Sequence, residues 1–462
     1  EFSIRRDEVP TDPNNVGSED YWWDGTQWIS ATNPEVIFTA DTFYEVVGGT
    51  KSWFKVVISS EDWVSGKTYR LKYRAVDFLG NTEDWNVRTF YVDNIPPTAY
   101  IVYPVNNQSY INITTISGTA VDDSPTSSGV KETEIKLYFI QAGNVYYWKG
   151  DAWVTYSTWV KCINDPLTPA NTRWYYTSLP SPWTPNVVYT LQARSIDNAG
   201  NIQTESIHTI TFSIDNEAPY VLIQQPQHDT GYSPSKPLTT ISGTAVDAFA
   251  GLDYIEIMMQ NLVTGKYWDG VSQFNQDNEQ WHLVVDTDTV ANEVTTWEYV
   301  RSFGWQAGYR YLVCVRAVDK AGNKKPTAEQ NNEFVVGVDS NVFTYDDQPP
   351  LVYFIRPLES ATTPVYSSLA SITGTSVDQP TDVGLYNSDV AEVYVKIYYL
   401  SDTPSPGTTY YWNGTEFSSW SYPVDGILAT GTTNWYYDTS GISWSDGVMY
   451  FVEVRAKDNA DN

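Results

Sequence analysis

The stretch WTPNVVYTLQARSIDNAGN, residues 183–201, is one of four copies of a single pattern in this 462-residue chain. The pattern is Trp, five residues, Tyr, four residues, Arg, two residues, Asp, three residues, Asn, and we call it the frame. The steps between the closing asparagines are 120, 122 and 139 residues, which predicts a structural unit repeated in series. The copies are Trp63/Tyr69/Arg74/Asp77/Asn81, Trp183/Tyr189/Arg194/Asp197/Asn201, Trp305/Tyr311/Arg316/Asp319/Asn323 and Trp444/Tyr450/Arg455/Asp458/Asn462.

The frame predicts a β-strand that runs into a turn. Tyr, Leu and Ala alternate with Thr, Gln and Arg along residues 189–194. Such alternation is typical of a strand in a sheet with one covered face. No stretch of the chain has convincing helical periodicity.

Three further elements recur around the frame. Proline stiffens the linkers, because it fixes φ and extends the residue before it. Asp-Gly and Asn-Gly supply the positive φ angles of a tight hairpin. With about seven short strands in each repeat, the pattern favours a β-sandwich. The elements are Pro-containing linkers at 93–97, 215–219 and 346–350; Ile-x-Gly-Thr-(Ala/Ser)-Val-Asp at 116–122, 241–247 and 372–378; and an aromatic insert ending in Gly at 22–25, 147–150, 267–270 and 411–414.

Charge and apolar content exclude two classes of partner. The chain has 27 Lys and Arg against 56 Asp and Glu, a net charge of −29. Nucleic acid and anionic membranes require a basic face, so we expect neither as a partner. No apolar run approaches the ~20 residues that span a bilayer, so we expect no membrane insertion. Cys162 and Cys314 stand in different repeats at non-equivalent positions, so we expect no disulfide conserved within the repeat.

The pattern Trp-x-x-Gly-x-x-Tyr-x-Leu-x-x-Arg-Ala-x-Asp-x-x-Gly-Asn, which stands here at residues 63–81, resembles fibronectin type III and bacterial immunoglobulin-like repeats. The resemblance covers nearly the whole chain and implies that the frame Tyr forms a tyrosine corner. It implies an all-β fold, a tandem array of four immunoglobulin-like or fibronectin III-like β-sandwich domains. We expect them at 1–94 (incomplete or atypical), 95–216, 217–347 and 348–462 (lacking its final strand).

The two ends of the chain suggest an assembly hypothesis. Residues 1–10 resemble the closing strand and linker at 211–219, so we expect a strand plus linker that belongs to a preceding or neighbouring repeat. The chain stops at Asn462, where a closing strand would begin. One interpretation is a fragment of a longer array. The other is donor-strand exchange, in which Phe2, Ser3 and Ile4 complete the last sandwich of another chain.

Acidic residues at the joints predict a Ca²⁺ site, because Ca²⁺ takes six to eight oxygen ligands. The alternative is that these Asp and Asn side chains form hydrogen bonds within turns. No other cofactor is expected. The candidate ligands are Asp93, Asn94, Asp122, Asp123, Asp215, Asn216, Asp247, Asp346 and Asp347.

Aromatic residues offer candidate contacts with ligands or neighbouring chains. Trp148, Trp268 and Trp412 of the inserts could stack on sugar rings or form lateral contacts between chains. The alternative is that they fill the sandwich core. For the frame Arg we expect a structural role, in which it stacks on aromatic neighbours or pairs with a carboxylate.

Function follows from the repeat. We find no catalytic motif and expect no enzyme activity. The sequence favours a structural segment of an extracellular fibre, filament or surface stalk that self-associates or contacts neighbouring repeats of the same protein. One alternative is an adhesin or polysaccharide-binding module on the cell surface. Another is an accessory region of a larger secreted enzyme.

Overall fold

The structure is a computed structural model of the chain, and it is built of strands. It describes residues 1–7, 20–30, 35–39, 45–46, 49–50, 58–59, 62–77, 79–122, 127–168, 170–286, 289–324, 334–358, 362–401 and 407–462. Within these ranges there is no α-helix, and no helix long and apolar enough to span a membrane. The all-β prediction is therefore confirmed. The chain divides into two compact units, Glu1–Asn216 and Glu217–Asn462.

The first unit contains the first and second copies of the frame. In the first repeat the strands are β1 (Phe2–Asp7), β2 (Tyr21–Trp23), β3 (Trp28–Ser30), β4 (Glu45–Val46), β5 (Gly49–Thr50), β6 (Thr68–Tyr73) and β7 (Asn86–Tyr91). In the second they are β8 (Thr98–Tyr103), β9 (Gln108–Tyr110), β10 (Ile116–Val121), β11 (Val130–Gln141), β12 (Asn144–Trp148), β13 (Trp153–Val154), β14 (Val160–Lys161), β15 (Ile163–Thr168), β16 (Asn171–Tyr176), β17 (Val187–Asp197) and β18 (His208–Ile214).

The second unit contains the third and fourth copies. In the third repeat the strands are β19 (Tyr220–Gln225), β20 (Thr230–Tyr232), β21 (Thr240–Val246), β22 (Leu252–Asn261), β23 (Tyr267–Trp268), β24 (Phe274–Gln276), β25 (His282–Asp286), β26 (Thr295–Val300), β27 (Tyr309–Asp319) and β28 (Ser340–Tyr345). In the fourth they are β29 (Leu351–Arg356), β30 (Ser371–Val377), β31 (Val390–Leu400), β32 (Thr409–Trp412), β33 (Phe417–Ser418), β34 (Ile427–Leu428), β35 (Asn434–Asp438) and β36 (Tyr450–Asp458).

Two sheets face each other in the second, third and fourth repeats. In the second repeat the smaller sheet has the order β15-β16-β10-β8, and the larger has the order β13-β12-β11-β17-β18-β9. Strand β17, which carries the frame, alternates buried residues with half-buried or exposed ones from Val187 to Asp197, as the sequence predicts. The buried side chains of both sheets form one hydrophobic cluster. The third and fourth repeats each have a three-stranded sheet, β19-β21-β26 or β29-β30-β35, opposite a larger one.

The N-terminal strand does not lie where the resemblance to residues 211–219 predicted. The first sheet has the order β3-β2-β1-β6-β7, so β1 lies between two partners. Arg5 pairs with Trp22 on one side, and residues 2–7 pair with residues 68–73 on the other. Phe2, Ser3 and Ile4 are buried in the first repeat. Strand β1 therefore occupies the place that β11 occupies in the second repeat, and its prediction as a closing strand is wrong. Residues 1–7 are long enough to form either a closing strand or an internal strand, so their length did not distinguish these two positions.

A tyrosine corner recurs in every copy of the frame. The hydroxyl of Tyr189 donates to the carbonyl of Thr184 at 2.8 Å. The backbone N–H of Gln306 donates to the hydroxyl of Tyr311 at 2.8 Å. In the same way Tyr69 pairs with Val64 and Tyr450 with Ser445. Each tyrosine thus reaches back five residues, which explains the fixed length of the frame's first half.

The Gly of the Ile-x-Gly-Thr element is required by a tryptophan. A Cβ atom on Gly374 would overlap the carbonyl of Tyr353 and the indole of Trp435. Gly118 and Gly243 meet Trp174 and Trp297 in the same way. The Trp-led strand pairs with the glycine-containing strand. The indole packs directly against the glycine backbone, where a side chain would leave no room for it.

We expect Gly374→Ala to lower the free energy of unfolding by about 3 kcal/mol, at the upper end of what overpacking costs, because both obstructing groups are held within the sheet. Gly441→Ala in the same repeat is the matched control, since a Cβ there has no neighbour within 4 Å. Calorimetric melting of both variants measures the difference. Equal melting of the two would contradict this account of the glycine.

Candidate metal centre

Each compact unit brings three aspartates together at the start of a sandwich. In the first unit these are Asp93, Asp122 and Asp197, which each contribute a carboxylate oxygen to a group in which all such atoms lie within 4.8 Å of one another. In the second unit Asp346, Asp378 and Asp458 form the equivalent group under the same limit. We call these groups the Asp93 triad and the Asp346 triad. Each contains one aspartate from the linker, one from the end of the Gly-Thr element and one from the frame.

The frame aspartate is held by its own turn. Oδ1 of Asp197 accepts from the N–H groups of Gly200 at 2.7 Å and Asn201 at 2.8 Å, and Oδ2 accepts from Asn201 Nδ2 at 2.7 Å. Asp458 is held in the same manner by Ala460 and Asn462. The frame's fixed Asp-to-Asn spacing is explained by this turn.

The closing asparagine of the frame also fastens the linker to the sandwich. Asn201 Nδ2 donates to the backbone carbonyl of Asp93 at 2.9 Å, and Asn462 Nδ2 donates to that of Asp346 at 2.7 Å. The N–H of Ser128 donates to Oδ2 of Asp93 at 2.7 Å. These bonds position the linker carboxylate against the other two.

One triad oxygen lacks a hydrogen-bond partner within the described residues. Asp122 is fully buried, and its Oδ2 accepts from the N–H of Gly129 at 2.8 Å. Its Oδ1 is buried and has no donor. A buried carboxylate oxygen without a partner is costly, so this atom is an unusual feature of the site.

Burial and neighbouring carboxylates disfavour the ionisation of Asp122 and Asp378, one aspartate of each triad. Burial raises the pKa of Asp122, and the nearby charges of Asp93 and Asp197 raise it further. Burial, followed by the charges of Asp346 and Asp458, raises the pKa of Asp378 to about 7. Burial also raises the pKa of Asp346. No Lys, Arg or His in the described ranges forms an ion pair with any of the six carboxylates.

The first repeat has the same turn, and its described residues form no triad there. Asp77 accepts from the backbone N–H of Asn81 at 2.8 Å and from its Nδ2 at 2.7 Å. Hydrogen bonds from the Asn81 side chain lower the pKa of Asp77, the opposite direction from Asp122. The turn alone therefore does not create the unfavourable charge, which comes from the linker and Gly-Thr aspartates.

The sequence-predicted ligands have different outcomes. Asp93, Asp122 and Asp346 belong to triads, and the carboxylate of Asp247 lies within 4.8 Å of that of Asp319 in the third repeat. Asn94 and Asn216 are exposed, and so is Asp347. Asn94 Nδ2 donates to the carbonyl of Trp63 at 3.0 Å, which is a bond to the first repeat and not one within a turn. Asp215 is buried at the end of β18, where its N–H donates to the carbonyl of Tyr110. Asp123 lies outside the described residues.

Sequence reasoning missed four residues of these groups. Asp197, Asp319 and Asp458 belong to the frame, and we assigned the frame to architecture. Asp378 ends the third copy of the Gly-Thr element and was not counted among the candidates. The available signal was the recurrence itself, because an aspartate at one position in each of three elements predicts a three-carboxylate site once those elements meet.

The insert tryptophans fill the core. Trp148, Trp268 and Trp412 are 7%, 0% and 8% exposed, so they do not offer a ring face to a sugar or another chain. Trp148 Nε1 donates to the carbonyl of Ser178 at 2.7 Å, and Trp412 Nε1 donates to the hydroxyl of Tyr437 at 2.8 Å. Their prediction as ligand contacts is wrong, because the insert hairpin folds its second aromatic residue inward.

The frame arginine pairs with a carboxylate and stacks on an aromatic ring, as predicted. Arg316 lies 3.9 Å from the ring centroid of Trp281 and 2.7 Å from Glu256. Arg194 lies over Trp159 at 4.2 Å and pairs with Glu134. Both side chains thus cover the outer face of the larger sheet, which is a structural role.

Comparison with known proteins gives distant likenesses only. No family model and no curated protein matches the chain. Among solved structures, the fibronectin(III)-like modules of Clostridium thermocellum CbhA align at 14% identity and TM-score 0.25, over 54% of this chain and 95% of theirs. A bacterial ice-binding adhesin aligns at 11% identity and TM-score 0.27, over 79% of this chain and 98% of its own. The FN1-FN3 domains of chicken CNTN1 align at 13% identity and TM-score 0.25, over 70% of this chain and 86% of their own.

The fold itself defines the class. Facing sheets, strand order and the repeated tyrosine corner make this chain a tandem array of immunoglobulin-like, fibronectin III-like β-sandwiches.

We expect Trp412→Ala to lower the free energy of unfolding by about 3–5 kcal/mol, because it empties a large core site. Trp420→Ala is the matched control in the same repeat, since Trp420 is 84% exposed and surface changes are usually within about 0.5 kcal/mol. Calorimetry of the full chain separates them. A stable Trp412→Ala protein that loses polysaccharide binding would restore the ligand interpretation.

Proposed function

We propose that this chain is a structural segment of an extracellular fibre, filament or surface stalk. It consists of four sandwich domains at 1–94, 95–216, 217–347 and 348–462, and it acts as a stiff spacer rather than as a catalyst. The observation that carries the proposal is the bonding of the joints inside each compact unit. Both joints are hydrogen-bonded to the repeat before and to the repeat after.

The joint between the first and second repeats is bonded on both sides. Ser65 Oγ in the first repeat lies 3.3 Å from Asp93 Oδ1, and Asn94 Nδ2 donates to Trp63. On the other side, Ser128 and Asn201 of the second repeat donate to Asp93. A linker held in this way has little freedom to bend, which supports a spacer role.

The joint between the third and fourth repeats adds direct contacts. The backbone N–H of Asp346 donates to the carbonyl of Tyr232 at 2.9 Å. Ser233 Oγ donates to the carbonyl of Ala460 at 2.6 Å, and both residues are fully buried. Lys236 Nζ donates to the carbonyl of Asn459 at 3.0 Å. The bonds to Asn459 and Ala460 join the turn of the fourth repeat to the third repeat, as expected of modules that transmit force together.

Strand exchange has no part in this proposal. Strand β1 is hydrogen-bonded on both edges within its own sheet, so releasing Phe2–Ile4 would open the core of the first repeat. Contacts with neighbouring repeats of the same protein remain the proposed mode of association. The net charge of −29 keeps parallel chains apart in the absence of cations.

The adhesin alternative would depend on other aromatic residues than those the sequence suggested. Trp420 is 84% exposed, and in the same repeat Tyr411 and Tyr422 stack at 4.2 Å. A polysaccharide panel probed with the wild-type chain and with Trp420→Ala tests this alternative. The accessory-region alternative remains a prediction that a longer gene sequence would test.

Single-molecule pulling of the full chain tests the proposal. We expect four unfolding events, each releasing a contour length of about 30–45 nm, because an extended residue spans about 3.3–3.6 Å. We also expect Ser233→Ala to lower the force of an event in the second unit, while Ser235→Ala leaves it unchanged. Unfolding in a single low-force event would contradict both the domain boundaries and the mechanical role.

A further inference from the structure

We propose that the Asp93 triad and the Asp346 triad each bind one Ca²⁺ ion. The inference is independent of the fibre proposal, since a binding module or an enzyme accessory region could contain the same sites. It depends on three observations in the Asp93 triad, of which the second triad repeats two.

The first observation is the spacing of the carboxylates. In each triad one oxygen from each of three aspartates lies within 4.8 Å of the other two. Two oxygens on opposite sides of one Ca²⁺, each about 2.4 Å from it, are about 4.8 Å apart. A single ion therefore fits among the three carboxylates without large movement of the backbone. The triads contain no His or Cys, so a zinc site of the usual kind is not indicated.

The second observation is the buried oxygen of Asp122. This residue is fully buried, and Oδ1 has no hydrogen-bond donor among the described residues, although Oδ2 is satisfied by Gly129. A cation is the partner that makes a buried, donor-free carboxylate oxygen favourable.

The third observation is that the negative charge is uncompensated. Each triad concentrates three carboxylates at mostly buried positions, and no basic side chain of the described residues pairs with them. In water-excluded surroundings, like charges at this distance repel strongly. The second triad has the same composition on the equivalent elements, with Asp346, Asp378 and Asp458 all nearly fully buried.

The proposed ion would lock each linker onto the following sandwich. Asp93 lies in the linker before the second repeat, whereas Asp122 directly follows β10 and Asp197 ends β17 inside it. Asp93 is partly exposed, which leaves a route from solvent. Removal of Ca²⁺ would leave the hydrogen bonds of Asn201 and Ser128 to hold the linker against repulsion between the carboxylates.

The test is calcium titration of the full chain after treatment with a chelator. Isothermal titration calorimetry in 150 mM NaCl should show at least two equivalents of Ca²⁺, with affinities of about 10⁻⁴–10⁻³ M or tighter, the range of extracellular modules. In 5 mM CaCl₂ the melting temperature should rise by about 4 °C or more. The double variant Asp122→Asn/Asp378→Asn should lose two equivalents and the calcium-induced shift.

The direction in which the double variant shifts the melting temperature without calcium is also informative. An amide keeps the shape of the carboxylate, removes a charge and can donate to its neighbours, so the double variant should melt at a higher temperature than the wild type in chelator. A merely structural role for Asp122 and Asp378 predicts the reverse. Circular dichroism of both proteins checks that the variant is folded.

Asp77 provides the matched control. Asp197→Asn should lose one equivalent of Ca²⁺. Asp77→Asn changes the same turn in the first repeat, where the described residues form no triad, and should lose none. The proposal is overturned if no calcium binds at 5 mM, or if the double variant binds as many equivalents as the wild type. It is also overturned if 5 mM MgCl₂ raises the melting temperature equally in the wild type and the double variant. General screening of the net charge would then explain the effect.

Discussion

The fold depends on one tyrosine per repeat whose hydroxyl is hydrogen-bonded to the backbone five residues earlier. Tyr189 and Tyr311 are fully buried, and each hydroxyl reaches a backbone group five residues earlier. Trp183 packs edge-on against Tyr189 at 4.9 Å, and Phe212 of the next strand stacks on its other side at 5.4 Å. Because a buried hydroxyl without a partner is costly, the corner fixes how the chain enters the frame strand.

The frame strand also determines the structure at its C-terminal end. Once the tyrosine fixes the register, the frame arginine faces outward and the frame aspartate arrives at the end of the sandwich, beside the linker. The turn from Asp197 to Asn201 then satisfies the aspartate and supplies an amide to the linker carbonyl. One strand thus positions a core residue, a surface ion pair and the joint between repeats, which explains why none of the four copies of the frame contains an insertion.

The joints combine hydrogen bonding with unfavourable charge. Asp378, with its pKa raised to about 7, illustrates the cost of bringing three carboxylates together away from water. A chain under selection only for stability would lose such a group readily, since an amide or a small residue would fit. Its presence in two repeats, on the same three elements, argues for a purpose at the joint beyond turn formation.

The sequence by itself determined the strands, the repeat and the turn chemistry. Alternation identified β11 and β17, and Asp-Gly or Asn-Gly identified the insert hairpins, because these features depend on residues that are near one another in the chain. Only the tertiary structure decided three other matters. Residues 2–7 became an internal strand, and Trp268 turned into the core. Asp93, Asp122 and Asp197 came together although about 100 residues separate the first from the last. Local sequence patterns specify a strand and its two faces. Which segment covers a face, and which charged groups lie close together, depends on contacts between segments far apart in sequence.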